Sequence, residues 1–149
     1  MFSILGDVIE GARVLDLFAG SGAMAIEALS RGAAEATLVD SSAASIASIR
    51  RNLRALELGA TVRRQSVQAF LRSAHRHGRQ YDLVFVDPPY RRASAFGEAL
   101  SASLTPVLAS GARVVAESDR REPLELDLAL LDGRRYGDTL VLIFHVPSR

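Results

Sequence analysis

The sequence predicts an α/β domain with a mostly parallel sheet, helices on both faces of the sheet and an antiparallel hairpin near its carboxyl end. Short apolar and β-branched runs alternate with helical patterns along most of the chain, which is typical of repeated βα units and a parallel sheet. The last two apolar runs, residues 128–136 and 139–146, are joined directly across Gly137 and Asp138, which favours a hairpin.

Five strands are predicted ahead of the hairpin, at residues 13–18, 36–39, 61–64, 81–86 and 113–117. The fourth is almost continuously apolar, as expected for a strand that is covered on both faces. The first, second and fourth strands run into polar segments that contain Gly20, Asp40 and Asp87. Open α/β sheets bind their ligands at the carboxyl ends of the strands, so a site is expected there.

Helical patterns fill the intervals, at residues 23–31, between the second and third strands, at 67–77 and at 95–108. Gly32, Gly59 and Gly78 mark three of the helix ends. Ser41 or Ser42 can cap the second helix. Its apolar face is predicted to hold Ile46, Ile49, Leu53 and Leu56, and its other face Arg50, Arg51 and Arg54.

The composition limits the classes of protein to consider. With 149 residues, 48% of them hydrophobic, the chain fits one domain, residues 1–149, whose core needs no disulfide or metal. It has no cysteine, which excludes a disulfide framework, a thiolate zinc site and a cysteine nucleophile and fits a reducing cytoplasm. We expect no membrane span and no signal peptide, because there is no apolar run of about 18 residues and no basic leader.

Positive charge is concentrated in the middle of the chain. The net charge is −4 over residues 1–49, +7 over residues 50–79 and −2 over residues 80–149. The middle segment contains eight arginines and one acid, Glu57. We expect the helix arginines within it to form a solvated face.

The first strand leads into a glycine-rich loop that is suited to a nucleotide-like ligand. Gly20 and Gly22 allow tight turning and close approach of a ligand to the backbone. Asp16 would repel a pyrophosphate but accept hydrogen bonds from a cationic amine, and Asp40 lies 18 residues beyond Gly22, near the spacing of a ribose-binding acid. The alternative is a βα turn that binds no nucleotide and carries two solvated acids.

The segment Asp87-Pro88-Pro89-Tyr90 directly follows the fourth strand. An amino group on an aromatic base is a poor nucleophile, because its lone pair is delocalised into the ring. The Asp87 carboxylate and the Pro88 carbonyl could accept hydrogen bonds from the two N–H groups of this amine and so orient its lone pair. Two prolines make the loop rigid. Tyr90 offers a ring for base stacking, worth roughly 1–3 kcal/mol. The alternative is a proline turn that merely ends a strand.

Together these motifs resemble the RsmD family, S-adenosylmethionine-dependent enzymes that methylate the N2 amine of a guanine in bacterial 16S ribosomal RNA. The resemblance covers nearly the whole chain and is carried by residues 14–22, 27–32, 84–90 and 136–139. It implies a Rossmann-like class I methyltransferase fold with a seven-stranded sheet. It also implies S-adenosylmethionine as the cofactor, 16S ribosomal RNA or the small ribosomal subunit as the partner, a monomer, a cytoplasmic location and no metal.

The resemblance also implies a role for each site residue. The methionine moiety would be held by Asp16 and the backbone of Gly20, Ser21 and Gly22, and Phe18 and Ala19 would also contact the cofactor. The ribose would bind Asp40, and the adenine would lie near Ser41 and near Ser66 or Val67. The guanine would be held by Asp87, the Pro88 carbonyl and Tyr90, with Asp87 also beside the cofactor and Arg91 and Arg92 on the RNA.

The sequence departs from the family pattern in two places. Family members usually begin with a further segment rich in Arg, Thr and Pro, which this sequence does not contain, so we expect cofactor binding but poor modification of RNA. Ser66-Val67 replaces a common Asp-Ala pair after the third strand.

Other readings stay open at this point. One is an amino methyltransferase that acts on DNA adenine or on a protein glutamine, and another is a cofactor-binding module without activity. A nicotinamide dehydrogenase is the third, and Asp16 and the proline loop argue against it.

Overall fold

A computed structural model describes residues 2–89 and 93–148 and has one seven-stranded sheet, in the order β3-β2-β1-β4-β5-β7-β6. The strands are β1 Arg13–Leu17, β2 Glu35–Asp40, β3 Thr61–Arg64, β4 Tyr81–Val86, β5 Leu108–Asp119, β6 Ala129–Tyr136 and β7 Thr139–His145. The helices are α1 Phe2–Leu5, α2 Ala23–Ser30, α3 Ala43–Ala55, α4 Val67–Arg76 and α5 Ala93–Leu104, with short 3-10 turns at Gly6–Val8 and Thr105–Val107.

The sheet has the predicted pairing. Strands β1 to β5 pair with one another in parallel, and β7 runs antiparallel to both β5 and β6. The chain passes from β1 outward to β2 and β3 and then returns to the other side of β1 as β4. Such a reversal between two neighbouring strands opens a crevice at their carboxyl ends. The Rossmann-like methyltransferase fold that was expected from the sequence is confirmed.

Core residues alternate between the two faces of the sheet, as side chains along a strand must. On β1, Leu15 and Leu17 pack with Phe70 and Leu104 on the α4–α5 face. Val14 points to the opposite face and packs in the cluster formed with α1, α2 and α3. Both faces of the central strands are therefore covered, which explains the apolar run of β4. Among the described residues, no helix is long and apolar enough to cross a bilayer.

Helix α3 differs from the prediction at its end. Ser42, rather than Ser41, is the N-cap, and its hydroxyl accepts a hydrogen bond from the Ser45 N–H at 3.2 Å. The helix ends at Ala55, and Glu57 has a positive φ of 55°, so the chain has already turned away. Leu56 was predicted on the apolar face, but that prediction is wrong, because the residue is 57% exposed. Leu58, after the turn, packs against the core instead.

Helix α5 and strand β5 also have different limits. The helix ends at Leu104 rather than near residue 108, because Pro106 lies in the 3-10 turn that follows and disfavours a continuing helix. Strand β5 begins at Leu108 instead of residue 113. Gly111, with φ of 74°, lies where the pairing with β4 changes register, so an irregularity hid the first part of the strand from the sequence pattern.

Candidate active site

Three carboxylates meet at the carboxyl edge of the central strands. Asp16 lies in β1, Asp40 is the last residue of β2, and Asp87 directly follows β4. Strand β1 lies between the other two strands and pairs with both. The structure thus brings together the residues that the sequence singled out in three separate segments.

The loop after β1 begins with a strained residue. Phe18 was predicted to end the strand, but its φ of 58° places it outside the strand, in the left-handed region that costs a residue with a side chain about 1–2 kcal/mol. The next residue anchors the turn, since the Ala19 N–H donates to the Val39 carbonyl of β2 at 3.0 Å. The Gly22 N–H closes the loop on the Ala19 carbonyl at 2.8 Å. Strain of this kind is retained where the surroundings fix the backbone, often at a binding site.

The two glycines of this loop serve different purposes. Gly20 has φ of 60°, and a Cβ built on it would meet no heavy atom within 4 Å, so the loop presents bare backbone to open space. Gly22 has φ of 82°, and a Cβ there would lie 2.9 Å from Cδ2 of Leu38 and 3.4 Å from Cγ1 of Ile49. Gly20 therefore leaves room for a ligand, whereas Gly22 lets α2 begin close against β2 and α3.

Asp40 connects the loop after β1 with the start of α3. Its Oδ2 accepts a hydrogen bond from the Gly20 N–H at 3.0 Å, and its Oδ1 accepts one from the Ser42 N–H at 2.9 Å. Asn52 of α3 adds a third tie, since its Nδ2 donates to the Ser21 carbonyl at 2.9 Å. The sequence analysis did not predict Asn52 as a site residue. Its role depends on which loop α3 packs against, so no short pattern marks it.

Asp16 is nearly inaccessible, with 3% of its surface exposed. Its Oδ2 accepts a hydrogen bond from the Ala25 N–H of α2 at 3.2 Å. Burial raises the pKa of Asp16 to about 8. The Ala25 hydrogen bond lowers the pKa in part, whereas the negative charges of Asp87 and Asp40 raise it further. Near neutral pH this carboxyl therefore tends to hold a proton, and a nearby cation would favour its ionised form.

Asp87 and Pro88 directly follow β4. Pro88 is buried, which fixes the turn, while Asp87 is exposed. The pKa of Asp87 is nevertheless raised to about 6, chiefly because the surrounding walls remove part of its solvation and secondly because of the negative charge of Glu117. Tyr90, Arg91 and Arg92 lie outside the described residues.

A small cleft lies between the loop after β1 and Asp87. Its walls are apolar at Phe18, Met24, Phe85 and Val115, and carboxylates from three strands border it, those of Asp16, Asp87 and Glu117. Glu117 of β5 was not predicted as a site residue. Only the pairing of Val86 with Ala116 reveals that it lies beside the strand end that leads to Asp87.

Ser66 and Val67 lie where the chain leaves β3. The Ser66 hydroxyl caps α4 by accepting a hydrogen bond from the Ala69 N–H at 3.1 Å, and the Val67 side chain is 8% exposed within the core. The adjacent Gln65 N–H donates to the Asp40 carbonyl at 3.1 Å, so this segment borders the end of β2. For a ligand, the Ser66 hydroxyl keeps its proton and a second lone pair, and Val67 offers its backbone.

Comparisons with known proteins agree with this geometry. The profile of the family described as conserved hypothetical protein 95 matches residues 1–145. The putative rRNA methyltransferase YlbH of Bacillus subtilis is 36% identical over 154 residues, which cover 97% of this chain and 81% of that protein. The ribosomal RNA small subunit methyltransferase D of Escherichia coli K12 is 44% identical over 93 residues, 62% of this chain but only 46% of that protein.

Solved structures give the same result. The structure described as putative methyltransferase yhhF from Escherichia coli superposes with a TM-score of 0.87 at 33% identity and covers 99% of this chain and 84% of that one. The match to the family profile, the overall similarity to YlbH and the shared sheet extend over nearly the whole sequence. The chain therefore belongs to the family described as conserved hypothetical protein 95, the RsmD-like family that its motifs indicated.

Proposed function

We propose that this chain is a methyltransferase that transfers a methyl group from S-adenosylmethionine to the exocyclic N2 amine of a guanine in bacterial 16S ribosomal RNA. The observation that carries this proposal is the juxtaposition of the Gly20 loop, Asp40 and the Asp87-Pro88 turn on three adjacent strand ends. The names of the relatives, ribosomal RNA methyltransferases, supply the substrate class. Residues 1–149 would act as one domain, as a monomer in the cytoplasm.

The Gly20 loop, Asp16 and Asp40, which we call the cofactor side, fit S-adenosylmethionine. The bare backbone at Gly20 would take the methionine moiety beside Asp16, whose carboxyl would ionise next to a cation. Each Asp40 oxygen uses one lone pair for a backbone N–H and keeps another for a ribose hydroxyl. Ser41 and the Ser66–Val67 segment border the same strand end, where the adenine would lie. When bound, the cofactor supplies a sulfonium-linked methyl group, which is a strong electrophile.

Asp87 and Pro88, which we call the substrate side, fit an aromatic amine. With a pKa of about 6, Asp87 is mostly ionised at pH 7 and can accept a hydrogen bond from the amine, and later its proton. The Pro88 carbonyl would accept the second N–H, and Tyr90 would stack on the base. Because the methyl donor is already reactive, catalysis in this scheme consists mainly of holding the amine in line with it. Arg91 and Arg92 would contact the RNA.

The experiment is methyl transfer from tritiated S-adenosylmethionine to purified small ribosomal subunits and to naked 16S ribosomal RNA, followed by nucleoside chromatography. We expect transfer to be slow, as the departure from the family pattern predicts, and the label to be in N2-methylguanosine. Label in N6-methyladenosine, or label in DNA or protein when these are offered instead, would contradict the guanine assignment but keep the amino methyltransferase chemistry. Saturable binding of S-adenosylhomocysteine with no transfer to any of these substrates would indicate a cofactor-binding module.

A further inference from the structure

The eight arginines of residues 50–79 lie on the edge strand β3 and on or just after the helices that precede and follow it in the chain. They are carried by α3, by the edge strand β3 and by α4 with the turn after it, and all eight are exposed. We refer to them as the β3-edge arginines: Arg50, Arg51, Arg54, Arg63, Arg64, Arg72, Arg76 and Arg79. The positive charge of this segment is therefore exposed to solvent, and Arg50, Arg54 and Arg63 line one groove.

These charges are not neutralised by the protein. Within residues 2–89 and 93–148, none of the eight forms an ion pair, whereas five arginines elsewhere do. The five ion pairs are Arg13–Asp82, Arg31–Glu27, Arg120–Asp138, Arg121–Asp119 and Arg134–Asp132. Exposed charges of one sign that lack local partners attract counter-ions or a polyanion.

Three of the arginines border a groove between α3 and β3. Arg50 and Arg54 are one helical turn apart, about 6 Å along the axis, and Arg63 approaches from β3. The floor is kept low by Gly59, where an added Cβ would meet no heavy atom within 4 Å. Guanidinium groups hydrogen-bond phosphate in a forked geometry, so a row of them suits a chain of phosphates.

The β3-edge arginines begin at the candidate active site. Arg64 pairs in register with Asp40, and its Nε donates to the Ser41 carbonyl at 3.4 Å. From there these arginines continue through Arg63 to the groove. Charge on an edge strand also prevents unwanted strand pairing, but this role would not require the arginines of α3 and α4.

We propose that the groove between α3 and β3 binds the phosphate backbone of the RNA that the site methylates. The inference rests on the proposed function. It also replaces the expectation that the helix arginines form only a solvated face. The RNA would pass Arg64 beside the active site and continue along α3 from Arg50 to Arg54, so the groove would hold RNA flanking the target base.

The test compares two pairs of arginines on opposite edges of the sheet. The variant R50Q/R54Q removes two charges from the groove, and R134Q/R135Q removes two from the exposed edge strand β6. A third variant, G59E, places a negative charge in the groove at a position with open space and no positive φ. Binding to in vitro transcribed 16S ribosomal RNA of Escherichia coli is measured between 50 and 200 mM salt, with S-adenosylhomocysteine affinity as the check on folding.

For R50Q/R54Q we expect the slope of log affinity against log salt to become shallower by about 1.4–1.8, because each phosphate contact contributes about 0.7–0.9. Affinity at 0.1 M salt should fall at least about tenfold. G59E should weaken binding as well, and R134Q/R135Q should change the slope by less than half as much as R50Q/R54Q.

Equal effects of the two arginine pairs, or no effect of R50Q/R54Q and G59E, would overturn the groove assignment. If the wild-type chain still methylated and bound RNA in that case, the proposed function would stand. A wild-type chain that bound no RNA at 50 mM salt and transferred no methyl group would refute the proposed function, and the groove assignment with it.

Discussion

Asp40 and Asp87 both lie at the carboxyl edge of the sheet, but their carboxylates have different surroundings. Both oxygens of Asp40 accept backbone N–H groups, from Gly20 and Ser42. No hydrogen bond to the Asp87 carboxylate occurs among the residues that the structure describes, and its pKa is raised to about 6. The backbone thus holds Asp40 in place before any ligand binds, whereas in our proposal the lone pairs of Asp87 serve the substrate amine.

The largest expected effect is that of Asp87→Asn on methyl transfer. An amide cannot take the proton of the amine and is a weaker acceptor, so kcat/KM should fall roughly a hundredfold to ten-thousandfold. The affinity for S-adenosylhomocysteine should stay within a few-fold, because neither Asp40 nor any described residue of the Gly20 loop hydrogen-bonds to Asp87. Calorimetry and tritium transfer on the same preparation measure both quantities. A large loss of cofactor affinity in a folded variant would show that the two sides are not separate.

The next largest effect is expected from the loop glycines, and it concerns stability. Gly22→Ala combines a left-handed φ with contacts to Leu38 and Ile49 and should lower the free energy of unfolding by about 2–4 kcal/mol. Gly20→Ala is the matched control, since it has the same change and a similar φ but open space, and should cost about 1–2 kcal/mol. Urea unfolding followed by circular dichroism gives both values. Equal losses of stability would mean that the contacts with Leu38 and Ile49 add nothing to the cost of the left-handed φ.

Asp40→Ala should act on binding rather than on chemistry. It removes the acceptor for Gly20 and Ser42 and, in our proposal, for the ribose hydroxyls, and a hydrogen bond to a charged group is worth about 1.5–3 kcal/mol. We therefore expect the Kd for S-adenosylmethionine and S-adenosylhomocysteine to rise roughly tenfold or more, with kcat at saturating cofactor changed much less. Unchanged affinity would show that Asp40 does not bind the ribose of the cofactor.

The same contrast explains which features the sequence could predict. The strands, the glycine loop and the residues up to Pro88 follow from local signals: continuous apolar runs, glycine spacing and acids at strand ends. Asn52 and Glu117 escaped prediction because their importance depends on which strands and loops become neighbours, and no short pattern marks either residue. Leu56 was misplaced because a helical period continues in sequence after the backbone has turned at Glu57.

The smallest expected effect is that of Glu117→Gln, and it tests whether β5 influences the substrate side. The charge of Glu117 is the second cause of the raised pKa of Asp87, after loss of solvation, so removing it should lower that pKa from about 6. If ionised Asp87 is the active form, kcat/KM rises with pH through this pKa, and its midpoint should move to lower pH by less than about one unit. Activity above pH 7.5 should be nearly unchanged, because Asp87 is ionised there in both proteins. Glu125→Gln, at an exposed position outside the cleft, is the control and should leave the midpoint in place. A midpoint that stays put in Glu117→Gln, or that persists in Asp87→Asn, would show that another group sets the pH dependence.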